Sequence, residues 1–403
     1  MTPSRFPPRP PRGDLRPGLA RALLAGVLAA LPAACGRPEA VSTAMRFNAE
    51  QEKRAASAPR YADRASPEFA ARFVRMASLR VPVARGAARP AGGLARRPTA
   101  CALTSSGDLY LGDESDRVYV WPAGGARLRA LPAAPAEAPR FATALFWDER
   151  EGVLHVLDGA RHQVRRYAPD GRLLGFATLN AGQATFAIAL TDGGTVVAGG
   201  VRAEDAERTT LVSVHDSQGR HRAAFLDMEP AMARSKVRLA PPVLLAPAGG
   251  ETFLAAQPGA PTILRMSTRG EVLQRFEATY DGYRRPAALT DATFDFERTE
   301  TWRRSMDPLR FLHRGGRFVF AGFGTWRGGR MVYRLEVYGP DGSRVDTGLR
   351  HDSRPLCGRG EELVLVSMGN PEEVEVTRWR YREPAPGRAA AARRRSPQPG
   401  EGV

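Results

Sequence analysis

Phe141-Ala-Thr-Ala-Leu-Phe-Trp147, Val153-Leu-His-Val-Leu157, Gln163-Val-Arg-Arg-Tyr167 and Arg172-Leu-Leu-Gly-Phe176 are four short, alternating runs in close succession. Turn residues separate them: Asp148 to Gly152, Asp158-Gly159, and Pro169-Asp170-Gly171. Apolar and polar positions that alternate between such breaks predict a four-stranded antiparallel meander.

The same unit recurs along most of the chain. A first copy runs from Ala100-Cys101 through Gly107-Asp-Leu-Tyr-Leu111 and Arg117-Val-Tyr-Val-Trp121 to Leu128-Arg-Ala-Leu131. A third holds Phe186 to Leu190, Thr195 to Ala198, Leu211 to His215 and Ala223 to Leu226. A fourth holds Val243 to Ala246, Thr252 to Ala255, Ile263 to Met266 and Val272 to Phe276. The fifth follows an insertion and ends with Arg344 to Leu349, and the sixth stops at Glu373 to Tyr381 without a fourth strand. Repeats of this length call for a propeller or solenoid. Five complete units and one short of a strand fit a ring, the orphan strand Leu79 to Val83 completing the sixth unit and removing open edges. The expected fold is an all-β, six-bladed β-propeller with four-stranded antiparallel blades. The competing arrangements are seven blades or a pair of β-sandwiches. A seventh blade would have to come from residues 278 to 308, whose charge-dense sequence does not alternate.

Pro169-Asp170-Gly171 and Pro340-Asp341-Gly342 are the clearest of the turns between third and fourth strands, where glycine supplies the positive φ of a tight hairpin. With Gly-x-Leu-Tyr-Leu and Arg-Val-x-x-Trp or Tyr, they make a pattern that resembles six-bladed propellers of the NHL-like or TolB-like class, over roughly residues 97 to 382. The resemblance implies an architecture; propellers host binding modules and unrelated enzymes alike.

Charge points elsewhere than to nucleic acid. The formal net charge is +16, but Lys53 and Lys236 are the only lysines and arginine carries the rest. Several arginines sit in the two tails, and no aromatic-basic module of a nucleic-acid binder is present.

The N-terminus reads as an address. Arg5 to Arg21 precede the apolar run Ala22 to Leu31 and then Pro32-Ala33-Ala34-Cys35-Gly36, the layout of an export signal too short to span a membrane. Cysteine after two alanines resembles a bacterial lipoprotein signal, which implies a lipid on Cys35; Pro32 departs from that pattern, and an ordinary signal cleaved near Ala34 is the alternative. The expected division is a signal peptide over 1–34, an N-terminal linker with short helices and the closing strand over 35–95, the propeller over 96–383, and a disordered tail over 384–403. Helices are expected near Asn48 to Ser57 and Pro67 to Met76, the second started by Ser66-Pro67-Glu68.

Cys101 and Cys357 occupy equivalent places in the first and sixth units, so ring closure makes them neighbours and, in an oxidising compartment, a disulfide. Two buried thiols are the alternative. The six histidines, His155, His162, His215, His221, His313 and His351, show no metal spacing; His155 reads as a satisfied interior residue, and His162 and His221 as solvated.

Catalysis has little support. Propeller lactonases hold a divalent cation with Glu, Asp and Asn from several inner strands, and Glu137 and Asn180 are two weak candidates for such a role. No Gly-x-Ser-x-Gly elbow occurs. No cofactor, metal or catalytic residue is therefore assigned. The better candidate is the insertion, where Tyr280, Tyr283, Arg284, Arg285, Phe294, Phe296, Trp302 and Arg303 have the composition of a partner-binding hot spot. A lid packing its own aromatics is the alternative, and a smaller insertion, Asp227 to Ala240, could flank the same mouth. The expected function is a monomeric, exported, lipid-anchored binding or scaffolding module of the cell envelope, on the outer membrane facing periplasm or cell surface. Its partner is an unknown envelope protein or a small ligand. A lactonase-like hydrolase or lyase working in the channel is the alternative, followed by a polyanion or carbohydrate binder using arginines.

Overall fold

The structure is a computed structural model of the 403-residue chain. It describes residues 64–84, 93–113, 115–179, 183–192, 194–203, 209–235, 243–290, 296–327 and 330–384. Cys35, Asn180, Phe294, the helix expected near Asn48, and the tail beyond 384 lie outside these residues.

The strands in chain order are β1 (Phe73–Pro82), then β2 (Ala100–Leu103), β3 (Leu109–Gly112), β4 (Val118–Trp121) and β5 (Arg129–Ala130) of blade 1. Blade 2 is β6 (Ala142–Asp148), β7 (Val153–Asp158), β8 (Gln163–Tyr167) and β9 (Leu173–Thr178). Blade 3 is β10 (Gln183–Leu190), β11 (Val196–Ala203), β12 (Thr209–His215) and β13 (His221–Asp227). Blade 4 is β14 (Leu244–Pro247), β15 (Thr252–Ala256), β16 (Thr262–Ser267) and β17 (Val272–Glu277). Blade 5 is β18 (Leu309–Gly315), β19 (Phe318–Arg327), β20 (Arg330–Tyr338) and β21 (Arg344–His351). Blade 6 is β22 (Arg354–Arg359), β23 (Glu362–Val366) and β24 (Glu373–Tyr381), and β1 is its outer strand.

The N-terminal strand therefore closes the ring. It is longer than the sequence indicated, because the helix α1 (Pro67–Arg72) ends early and the chain turns extended at Phe73. Ser66 caps α1 by accepting the Phe69 N–H at 3.2 Å. Phe69 is fully buried, stacked on Phe73 at 4.4 Å and edge-on to His351 and Trp379. From Phe73, facing Tyr381, to Pro82, facing Glu373, every residue but Met76, at a register shift, gains a ladder partner on β24. That pairing overrides the local helical tendency of residues 73 to 76. The first blade errs the other way, its outer strand shrinking to Arg129–Ala130.

Apolar packing is organised by blade junctions. One cluster joins Val81, Val364 and Val376 of blade 6 to Leu103, Leu109 and Leu111 of blade 1, and another joins Val197, Leu211 and Val214 of blade 3 to Phe253 and Met266 of blade 4. The other four junctions each have such a cluster. Central strands are buried on both faces, β3, β4, β7 and β23 at every residue, which is why they read as largely apolar runs.

The hairpin glycines do more than turn. Gly171, Gly219, Gly270 and Gly342 have φ of 80 to 89°. A Cβ there would come within 2.8 Å of Pro132, 2.7 Å of Thr178, 2.9 Å of Phe225 and 2.8 Å of Phe276, respectively. In every case the neighbour belongs to the preceding blade's outer strand or the residues just after it. The bare backbone of each turn is thus the contact surface between blades.

At the seam Cys101 of β2 and Cys357 of β22 are joined in a disulfide with Cα atoms 5.6 Å apart, linking positions 256 residues apart. Both lie on channel-bordering strands, so the bond ties blade 1 to blade 6 from inside while β1 ties them from outside.

Candidate functional site

The two ends of the channel differ. At one end lie the turns between first and second strands of each blade, and hydrogen bonds link them around the ring. Ser105 of blade 1 donates its N–H and Oγ–H to Glu149 of blade 2 at 2.6 and 2.8 Å. Arg150 donates to Asp192 O of blade 3 at 2.8 Å. Thr191 and Thr195 donate to Glu251 of blade 4, both at 3.0 Å. Arg314 of blade 5 donates to Ala248 O, and His313 Nε2 lies 3.0 Å from Gly360 O of blade 6. Arg378 completes the circle by donating to Gly107 O at 2.8 Å. Arg359 of blade 6 also reaches past blade 1 to Glu149 at 2.7 Å, so this ion pair crosses the end of the channel. Burial opposes ionisation of Glu149, but hydrogen bonds from Ser105 and Arg359 outweigh it and hold the carboxyl below its ordinary range. We call this the tied face.

The other face carries the connections from outer strands to the next inner strands; they range from the two residues between β21 and β22 to the insertion between β17 and β18. Among the described residues, the insertion forms the helix α3 (Phe296–Arg304) and no strand. The short helix α2 (Pro230–Ala233) of the smaller insertion lies beside it, supplying Met232 to the same apolar cluster as Trp302 and Met306.

The aromatics of the insertion turn inward. Tyr280 is buried, with ring contacts to Tyr283 at 5.5 Å and Phe323 at 5.3 Å. The Arg334 guanidinium lies 3.9 Å from the Tyr280 ring centroid, a cation–π contact. Glu336, fully buried, holds Arg334 from its other side at 2.6 Å. Trp302 is buried and its indole N–H donates to Ala287 O at 2.7 Å. Arg284 forks onto Asp307 at 2.6 and 3.2 Å and donates to Arg304 O at 2.8 Å. Burial pushes the Tyr280 hydroxyl up, and its hydrogen bond to Asp307 pushes it further. Desolvation works against the Asp307 carboxylate, yet the hydrogen bonds from Arg284, Tyr280 and Thr325 lower its pKa on balance.

Tyr280, Tyr283 and Arg284 thus hold the insertion onto blades 4 and 5, and Trp302 packs against blades 3 and 4. Arg285, paired with Glu229 at 3.2 Å, is exposed, and Arg303 is half-buried beside Glu300 at 3.3 Å. The side chain of Phe296 lies outside the described residues. What this insertion shows to solvent is polar and arginine-rich, with Arg304 laid over Trp326 at 4.9 Å.

Chemistry-bearing constellations elsewhere are sealed or occupied. Ser213 Oγ lies 2.8 Å from His215 Nε2, and His215 Nδ1 lies 3.1 Å from Gly219 O. That is the spacing of a nucleophile and its base, but Ser213 and His215 are buried in strand β12. His155 is interior as expected, yet both ring nitrogens lack partners; burial lowers its pKa to about 4. Glu137 contributes its backbone carbonyl to the Tyr167 hydroxyl at 2.6 Å. Among the described residues no group of three His, Cys, Asp or Glu is gathered as for a metal ion. An open crevice of about 240 Å³ between blades 3 and 4, lined by Leu226, Asp227, Gln257 and Arg275, is below the usual size of a small-molecule pocket. No helix among the described residues is long and apolar enough to cross a membrane.

No family model matches the chain, and no curated protein matches it by sequence. Solved structures match by fold. A DUF4221-family protein from Bacteroides vulgatus superposes with a TM-score of 0.53 at 7% identity, covering 77% of this chain and 98% of its own. A Bacteroides fragilis protein predicted to be exported gives 0.54 at 11% identity, over 79% and 98%. A virginiamycin B lyase from Staphylococcus aureus gives 0.43 at 10% identity over 76% and 99%, too distant to bear on chemistry. The two Bacteroides likenesses show the fold.

Proposed function

We propose that this protein is an exported, lipid-anchored β-propeller that binds or scaffolds a partner in the cell envelope through the face carrying the insertion, without transforming it. The observation that carries this reading is the asymmetry of the two ends. One is consumed by turn-to-turn hydrogen bonds around all six blades; the other bears the insertion, with the exposed Arg285 and the half-buried Arg303. Functional side chains concentrate on such loops above a rigid scaffold. Export rests on Arg5 to Cys35, and anchoring on Cys35 following Ala33-Ala34. The disulfide in the ring seam suits an oxidising compartment. The fold-level likeness to a protein predicted to be exported agrees with that placement.

Labelled palmitate fed to expressing cells tests the address. Incorporation into the wild type and its loss in Cys35→Ala is expected; label-free protein in the medium from both would overturn anchoring.

A further inference from the structure

We propose that the crevice between blades 3 and 4 is a binding site for a small aliphatic carboxylate of amino-acid size. The inference goes beyond the partner-binding reading and does not depend on it.

A break in one strand builds the first wall. Leu226 of β13 has a φ of +69°, and among the described residues only one other non-glycine residue, His162, has a positive φ. For a bulky residue within a strand this is a strained conformation, of the kind found at ligand clamps. Its effect is on direction. Consecutive residues of a strand point to opposite faces, yet Phe225 and Leu226 both pack against the apolar cluster between blades 3 and 4. The strained backbone thus turns Leu226 into the junction, where it lines the crevice. Gln257 fixes that wall from the turn between β15 and β16. Its amide N–H donates to Asp227 O at 3.0 Å, and its carbonyl accepts the Glu229 N–H at 2.7 Å.

Blade 4 supplies the opposite wall. Leu264 of β16 belongs to the cluster shared with blade 3, whereas Ile263 and Phe276 belong to the cluster shared with blade 5. Arg275 of β17 is the register partner of Leu264. Cross-strand partners share a face, so the Arg275 side chain is directed toward blade 3, and it lines the crevice beside Leu264. Among the described residues this exposed guanidinium makes no hydrogen bond or ion pair. Glu277, the next residue on that face of β17, accepts the Thr262 hydroxyl at 3.1 Å instead.

The chemistry of the occupant follows. Leu226, Leu264, Ala255 and Ala256 give an aliphatic lining. The planar fork of Arg275 suits a carboxylate, which it grips through two parallel N–H donors. Asp227, on the blade 3 side, supplies the opposite charge for an amino group. The volume of about 240 Å³ is below that of drug-sized pockets and limits the occupant to a molecule such as an amino acid or a short-chain acid. Strain at Leu226 and the direction of Arg275 are separate observations, and they meet at one cavity.

The test is calorimetric titration of the exported chain with leucine and, separately, with 4-methylpentanoate, which has the same aliphatic body and carboxylate but no amino group. Binding of leucine alone assigns an amino acid whose ammonium Asp227 reads; binding of 4-methylpentanoate, with or without leucine, assigns the carboxylate and its body. Either occurs at one site per chain and supports the proposal. The uncharged 4-methylpentanol should bind at least tenfold more weakly than the better probe. Arg275→Met should weaken that probe at least tenfold. Ala260→Leu, in the half-buried turn that borders the crevice, should fill the space and abolish binding. Neither position is in the core, so both variants should melt with the wild type. Arg220→Met on the tied face, where Arg220 pairs with Asp216 at 2.8 Å, should bind as the wild type does. Binding of neither acid, equal binding of 4-methylpentanol, or wild-type affinity in Arg275→Met and Ala260→Leu would overturn the proposal, whether or not a protein partner is captured on the insertion-bearing face.

Discussion

Replacing Cys101 and Cys357 by alanine should loosen the ring by a calculable amount. The disulfide closes a loop of 256 residues, for which the chain-entropy model gives about 5.5 kcal/mol at 25 °C. That is a ceiling, because an unfolded chain retains structure; about 2 kcal/mol is the lower end for native disulfides. An unfolding entropy of roughly 2.1 cal/mol/K per residue over the propeller gives roughly 0.6 kcal/mol/K. The melting temperature should then fall by about 3 to 9 °C. The assay is thermal unfolding by circular dichroism, with Cys35→Ser as the background so that no third thiol confuses the count. Denatured, unreduced protein should yield no titratable thiol, and reductant should bring the background protein to the melting temperature of the double variant. Two titratable thiols before reduction, or identical melting with and without reductant, would refute the reasoning.

Three further outcomes follow from other parts of the ring. Gly342→Ala should cost about 1–3 kcal/mol, because a Cβ would meet Phe276 at 2.8 Å and φ is +80°. Gly124→Ala, at φ +69° with nothing within 4 Å, should cost only the backbone part, about 1 kcal/mol; equal urea midpoints for the two would remove the interblade role of the turn. Trp302→Ala should destabilise by about 3–5 kcal/mol in urea, as for any buried tryptophan, whereas a displayed hot-spot residue would leave the midpoint unchanged. Acid should weaken the fold through His155 and His351, whose pKa burial lowers to about 4 from 6.5. Between pH 6.5 and 4 the unfolded chain binds more protons, so stability is full above pH 6.5 and falls as pH drops toward 4. Each contributes on the order of 3 kcal/mol over that window. His155→Leu should flatten the fall between pH 7 and 5; an unchanged slope in urea midpoint against pH would refute the assignment.

Much of the ring was legible because period-two alternation and Asp-Gly hairpins act locally. The blade count, the closing strand and the Cys101–Cys357 adjacency all follow from repeating one local unit around a circle. What was not legible depends on contacts between units. Phe73 to Met76 have helical composition, and only pairing with β24 makes them strand. Gly171, Gly219, Gly270 and Gly342 announced turns, but nothing in a single hairpin reveals the neighbouring blade pressed against it. Tyr280 and Trp302 show the same limit: aromatics interleaved with arginine describe an exposed hot spot and a self-packed insertion equally well, and burial decides between them.

Site-specific photo-crosslinking in intact cells tests the central claim most directly, with the crosslinking residue at Arg285 or Arg298 on the insertion and, in parallel, at Gln218 or Arg269 on the tied face. The account predicts a discrete crosslinked species from the insertion positions and none from the tied face. The same species formed from Gln218 or Arg269, or no species from any of the four, would contradict it.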